Sequence, residues 1–182
     1  MNHFDRIKKA VAASNVDAIL LFGEANRFYA TGFRSTDGAA VVTADKAYFF
    51  TDSRYIEAAE KTISGAEVLM VDGSKKYSDR INDVIYGHGV KTLGFEEDAL
   101  TFGEYSRFNK SLKAELMPAQ KLMNDLRAAK DEEEIAIMIE AQRIAEKSFN
   151  EILPLISTDI TEKQLATELL YRMLSNGAED NT

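Results

Sequence analysis

The sequence predicts a layered α/β domain with a mixed sheet over residues 1–124, followed by a helical segment over 125–182. Three observations carry this reading. Short apolar runs of strand length alternate with stretches of helical periodicity through the first two thirds of the chain. Two neighbouring runs, at 38–43 and 46–51, are joined only by the turn Ala44-Asp45, a hairpin-like signal that makes the sheet mixed. Beyond about residue 125 the strand signals stop and two apolar stripes at helical spacing take over.

The elements follow in order. Phe4, Ile7 and Val11 recur at helical spacing, so the chain opens with an amphipathic helix. Residues 17–22 read as a short buried strand stopped by Gly23. Residues 26–30 form a helical turn ended by Gly32, and the hairpin strands come next. Asp52 is placed to cap a helix running through Tyr55, Ala58 and Ala59. Residues 67–71 form a strand. A helix then buries Ile81, Val84 and Ile85 and closes at Gly87-His88-Gly89. A strand at 92–96 precedes a capping box, Thr101 with Glu104, which opens a helix carrying Tyr105 and Phe108 to about Leu112. Residues 115–117 supply a last strand.

In the helical segment, Asp131 and Glu134 form a second capping box, and the acidic run 131–134 favours a helix start. Consecutive helix positions point in different directions, so this run is a helix-start device and not a metal cluster. Ile135, Met138, Ile139, Gln142, Ala145, Phe149 and Ile152 make one stripe, ended by Pro154. Thr161 and Gln164 open the final helix, lined by Leu165, Leu169 and Met173, with Gly177 as its C-cap. No internal repeat or low-complexity run interrupts the chain.

Composition narrows the function classes. The 182 residues carry 22 basic and 30 acidic side chains, a net charge of −8. Such a balance speaks against nucleic acid, whose binding depends on phosphate neutralisation by Lys and Arg. Cys is absent, which removes disulfides, thiolate nucleophiles and Cys-ligated metals. The amphipathic N-terminus lacks an apolar signal core, and no apolar run approaches the roughly 20 residues that span a bilayer. These features fit a cytoplasmic protein without a membrane partner. The two histidines, His3 in a frayed N-terminus and His88 in a Gly-flanked turn, are not expected to ligate metal.

Three segments carry a family resemblance. Asn26-Arg27-Phe28-Tyr29-Ala30-Thr31-Gly32-Phe33 is similar to the pattern N-x-x-Y-x-T-G-F. Tyr48-Phe49-Phe50-Thr51-Asp52-Ser53-Arg54-Tyr55 is similar to L-F-T-D-x-R-Y. Leu126-Arg127-Ala128-Ala129-Lys130-Asp131-Glu132-Glu133-Glu134-Ile135 resembles the junction that follows, continuing into Ala141-Gln142 and the Thr161-Glu162 helix start. Together, in this order, they resemble the creatinase/aminopeptidase P/prolidase family of Xaa-Pro peptidases.

The resemblance implies a creatinase-type N-terminal domain at 1–124, with a ribonuclease-H-like three-layer α/β/α arrangement. It implies that 125–182 holds the junction and the first helices of a pita-bread catalytic domain. That domain would hold two divalent metals (Mn, Co or Zn) on two Asp, one His and two Glu, all beyond Thr182. Only 47 residues follow Ile135, too few to build it, and residues 176–182 look like the segment ahead of its first strands. The chain is therefore expected to have no catalytic residues, no metal of its own and no activity alone. Its implied roles are substrate restriction and oligomer contacts, with a proline-containing peptide as substrate of the intact parent and a homodimer as its assembly.

In homo-oligomeric members a loop of this domain reaches the neighbouring subunit's active site. The matching loop here is Phe33-Arg34-Ser35-Thr36-Asp37-Gly38. Arg34 is suited to a bidentate pair with a substrate carboxylate, and Asp37 to a peptide amine. The alternative is an ordinary polar loop turning at Asp37-Gly38. Arg54 gains nothing from a helix N-terminus, so it calls for a specific carboxylate, structural or from substrate. Two further functions stay open: a creatinase-like C–N hydrolase on the same scaffold, and a non-catalytic protein-binding scaffold.

Overall fold

Phe4, Ile7 and Val11, the helical stripe of the opening segment, are all buried on α1 (Phe4–Ala12). The computed structural model describes residues 3–179. Residues 1 and 2 of the opening stretch, and residues 180–182 at the end of the segment expected to precede further strands, lie outside the described residues. The described chain divides into two compact units, Met1–Ala129 and Lys130–Thr182.

The first unit is built on one sheet of six strands in the order β4-β3-β2-β1-β5-β6. These are β1 (Ala18–Leu21), β2 (Ala39–Thr43), β3 (Ala47–Thr51), β4 (Glu67–Met70), β5 (Thr92–Phe95) and β6 (Glu115–Pro118). β2 runs antiparallel to β1 and β3, while β1–β5, β5–β6 and β3–β4 pair in parallel. The sheet is thus mixed, with a single reversed strand created by the tight turn at Ala44-Asp45.

Period-two alternation sends neighbouring side chains to opposite faces. Ile19, Leu21, Ala40, Val42 and Phe49 enter one core with α1, with Tyr29 and Ala30 of α2 (Glu24–Thr31), Ala59 of α3 (Ile56–Thr62) and Met123 of α6 (Gln120–Ala128). Leu20, Val41, Tyr48, Phe50 and Leu93 enter the other with Ile81, Val84 and Ile85 of α4 (Tyr77–His88), and Phe108 of α5 (Phe102–Ser111) packs against it. The predicted three-layer α/β/α arrangement is therefore present. β1, β2 and β3 are buried at every position, as strands covered on both faces must be.

Four local details depart from the sequence reading. α6 has no counterpart in it, and its residues lie in the first compact unit, Met1–Ala129. Asp52 does not cap α3, whose N-cap is Tyr55; its carboxylate is drawn instead to Arg54. His3 is not frayed. Its ring stacks on Tyr29 at 4.0 Å, Nδ1 lies 2.8 Å from the Tyr29 carbonyl, and its backbone N–H donates to Ala30 O. Asn176, not Gly177, is the C-cap of the last helix, although Gly177 takes the positive φ.

In the second unit, Asp131 caps α7 (Glu132–Ile152) and Thr161 caps α8 (Glu162–Ser175), each through its predicted capping box. A 3-10 turn at Leu153–Leu155 places Pro154 where the long helix ends. The Asn176 amide donates to Ser148 Oγ at 3.0 Å, tying the end of α8 back to α7. Ile135, Met138, Ile139 and Phe149 of the predicted helical stripe are exposed.

Candidate functional site

Five of the six strands point the same way, so their carboxyl ends gather on one edge of the sheet, beside the entry to β2. In open α/β sheets that edge is where ligands bind, because loops rather than side-chain-filled core meet there. The loop at 33–38, the turn at 52–55 and the starts of α2 and α4 all lie on it.

The loop is held from beneath by a residue the sequence reading did not single out. Arg27, on α2 and 5% exposed, donates from Nη1 to Gly38 O at 2.6 Å and from Nη2 to Ser35 O at 2.9 Å. A buried guanidinium donating to two loop carbonyls fixes the loop more tightly than an aliphatic residue would. Gly38 completes the constraint. Its φ is +145°, and a Cβ there would stand 2.9 Å from Phe49 Cζ. The only sequence signal for Arg27 was a charged residue inside a motif that otherwise reads as a buried turn.

Two of the three candidate residues are brought together. Arg54 grips Asp52, with Nη2 at 2.6 Å and Nε at 2.9 Å from Oδ2, and the same Nη2 stands 3.7 Å from Asp37 Oδ2. Arg54 thus has the carboxylate partner its position called for. The bonds from Arg54 hold Asp52 below the usual carboxylate range, and Asp52 in turn raises Arg54. Tyr77, the first residue of α4, donates its hydroxyl to Asp37 Oδ2 at 2.7 Å. Burial first, and then that bond to Asp37, pushes the Tyr77 phenol up, so it remains a donor across the ordinary pH range. Arg34 stands apart from this cluster, exposed and 5.2 Å above the Phe28 ring. Thr36 Oγ1 meets the Tyr55 hydroxyl at 2.8 Å and closes the outer side of the loop.

Glu96 is the second residue the sequence reading missed. It follows β5 and is 1% exposed. Its carboxylate accepts the backbone N–H groups of Phe22 and Gly23 and the Asn26 amide. Asn26 Oδ1 accepts from Arg127 at 3.0 Å. Glu96 therefore anchors the start of α2, and through α2 the Arg27 guanidinium.

Neither imidazole belongs to this edge cluster. His88, at the end of α4, has Nε2 2.8 Å from the Tyr48 hydroxyl, and His3 is stacked on Tyr29. Of the edge carboxylates, Asp52 is engaged by Arg54 and Asp37 by Tyr77.

Comparison with known proteins fits this geometry. Residues 4–129 match the family model of the creatinase/prolidase N-terminal domain. An uncharacterized peptidase of Bacillus subtilis, YqhT, is 34% identical over 179 residues, covering 98% of this chain and 50% of its own length. A solved Xaa-Pro dipeptidase from Bacillus anthracis superposes with a TM-score of 0.90 at 33% identity, covering 97% of this chain and 49% of the other. The prolidase of Pyrococcus horikoshii superposes with a TM-score of 0.81 at 25% identity, covering 97% and 49%. The chain spans about half the length of these relatives. It belongs to the creatinase/prolidase N-terminal domain family.

Proposed function

We propose that this chain is the N-terminal, substrate-restricting and oligomerising part of a metal-dependent Xaa-Pro peptidase, and that it is silent in hydrolysis by itself. The observation that carries the reading is that nearly all of the chain superposes on about half of an Xaa-Pro dipeptidase. In this proposal the two divalent metals, Mn, Co or Zn, and their ligands belong to residues outside these 182, and the chemistry of peptide hydrolysis resides there. What this chain contributes is shape and charge at the carboxyl edge of its sheet. Arg27 and Gly38 hold the loop, and Asp37, Arg54 and Arg34 are the residues it offers to a substrate in the neighbouring subunit. Asp37 retains an acceptor oxygen, Oδ1, beyond its bond to Tyr77, and Arg54 and Arg34 are exposed. These features suit a peptide with an amine at one end and a carboxylate at the other.

Assembly as a homodimer belongs to the same proposal. Ile135, Met138, Ile139 and Phe149 of α7 are exposed and share one side of the helix by spacing, and an apolar helix face in water calls for a partner surface. Among the described residues no helix is long and apolar enough to cross a membrane.

The test begins with the source gene beyond codon 182. An open frame carrying the Asp, Asp, His, Glu, Glu set should yield a protein that cleaves Xaa-Pro dipeptides when supplied with metal, while residues 1–182 alone cleave none. In the long protein, Arg54→Gln should raise KM more than it lowers kcat. A frame without those ligands, or turnover of creatine in place of Xaa-Pro substrates, would overturn the reading. A monomer by light scattering at high concentration would remove the dimer.

A further inference from the structure

Asn176-Gly177 is the only Asn-Gly pair in the chain. Such a pair carries its own chemistry. Glycine has no Cβ to shield its backbone nitrogen, which can attack the side-chain carbonyl of the asparagine before it. A bond forms between Gly177 N and Asn176 Cγ, the bond from Cγ to Nδ2 breaks, and ammonia leaves with the proton of the Gly177 N–H. Water then opens the cyclic imide. Opening at Cγ yields aspartate, and opening at the backbone carbonyl yields isoaspartate. The net change consumes a water, releases an ammonia and replaces a neutral amide by a carboxylate.

This pair sits where α8 is tied back to α7. Asn176 is the C-cap of α8, with φ −87° and ψ 0°. Its amide nitrogen donates to Ser148 Oγ at 3.0 Å and to Glu151 Oε2 at 3.3 Å, both on α7. Ser148 is fully buried and gives its own proton to Ile144 O at 2.8 Å, so toward Asn176 it is an acceptor. Glu151 Oε2 also stands 3.9 Å from Arg172, whose guanidinium is held by Glu168 at 2.7 Å. The attacking nitrogen is engaged as well, since Gly177 N–H donates to Leu174 O at 3.1 Å. Both the leaving amide and the nucleophile are therefore tied down while the two helices are joined.

We infer that Asn176 is a self-deamidation site gated by the pairing of α7 with α8, and that its product keeps the end of α8 from returning to α7. The reaction proceeds from the opened form, at a rate set by the population in which the end of α8 has separated. The product cannot restore the contact. A carboxylate at position 176 has no proton for Ser148 Oγ or Glu151 Oε2. It sets a second negative charge beside Glu151, and it lies at the negative end of the α8 dipole. Arg172, the cation beside Glu151, is already held by Glu168. Opening of this helix pair is thus recorded covalently and in one direction. The inference concerns one unit of the chain and does not rest on the peptidase reading.

The experiment incubates the 182-residue protein at neutral pH in heavy-oxygen water and follows the peptide containing residue 176 by mass, the heavy oxygen marking each turnover. Folded protein should deamidate at Asn176 at least about tenfold more slowly than protein unfolded in urea, as for an opening free energy of about 1.4 kcal/mol or more. Ser148→Ala removes the acceptor but leaves a good helix former in α7, and it should speed the reaction about fivefold. Asn176→Asp, which installs the product, should speed hydrogen exchange about fivefold at residues 176 and 178, whose N–H groups donate to Arg172 O and Met173 O. Adding Glu151→Gln to that variant should recover part of the protection. Equal deamidation rates in folded and unfolded protein, or in Ser148→Ala and the native chain, would overturn the gating. Unchanged exchange at residues 176 and 178 in Asn176→Asp would overturn the effect of the product.

Discussion

Replacing Glu96 by Gln should destabilise the first unit far more than so small a change suggests, because the donors around it have no alternative arrangement. Glu96 Oε2 accepts the N–H groups of Phe22 and Gly23, and Oε1 accepts the Asn26 amide nitrogen at 2.5 Å. A glutamine has one acceptor oxygen. If that oxygen serves the two backbone groups, its own NH2 confronts the Asn26 NH2. Rotating the Asn26 amide does not help, because its oxygen already accepts from Arg127 at 3.0 Å, and rotation would set two donors against each other there. One charge-assisted bond is lost in either arrangement, and the anion at the start of α2 goes with it. The expected loss is about 2 kcal/mol. Glu57→Gln, on the exposed face of α3, should change stability by less than about 0.5 kcal/mol and serves as the control. Far-UV circular dichroism during urea unfolding reads the difference, since the chain has no Trp. Hydrogen exchange at Phe22 and Gly23 reads it locally, with about tenfold faster exchange for each 1.4 kcal/mol. If Glu96→Gln matched Glu57→Gln in midpoint and the two amides kept their protection, the fixed-donor argument would be wrong.

Gly38→Ala should cost about 2 kcal/mol or more, since it forces a positive φ on an L side chain and sets a Cβ 3.2 Å from the Phe50 carbonyl as well as against Phe49. Thermal unfolding would show it, and an unchanged midpoint would mean the loop moves freely. Acid should weaken the fold in part through Asp17, whose carboxyl is held below its ordinary value by backbone N–H groups of Thr92 and then Lys91. A lowered folded-state pKa gives a contribution that is present at neutral pH and lost as pH falls below about 4. Asp17→Asn should therefore flatten the pH dependence of stability in that window and leave its shape above pH 6 unchanged. A parallel curve at low pH would refute the assignment.

Much of the scaffold was legible because it rests on local rules. Phe4, Ile7 and Val11 declare α1 by spacing, and Ala44-Asp45 declares the hairpin by its length. Thr101, Asp131 and Thr161 mark helix starts through a hydrogen bond only three residues long. α6 escaped notice because Met123 is the only residue buried on it, too little to mark a face. Asp52 was misassigned because an Asp two residues before an Arg has a stronger partner than a helix N–H.

The edge of the sheet is different in kind. Asp37 and Arg54 were readable as candidates, but their meeting with Asp52 and Tyr77 joins residues up to 40 positions apart. Glu96 gave no local sign of its task, because it acts on groups that only the crossover between β1 and β5 brings near, and Arg27 gave little, because its partners are backbone carbonyls of the following loop, which carry no side-chain signature. Residue types and short-range spacing therefore determined the elements, the layers and the family of this protein. Which charges face one another and which carbonyls a buried arginine holds were decided only by tertiary structure. Hydrogen bonds and ion pairs act over a few ångströms in space, whatever the distance along the chain.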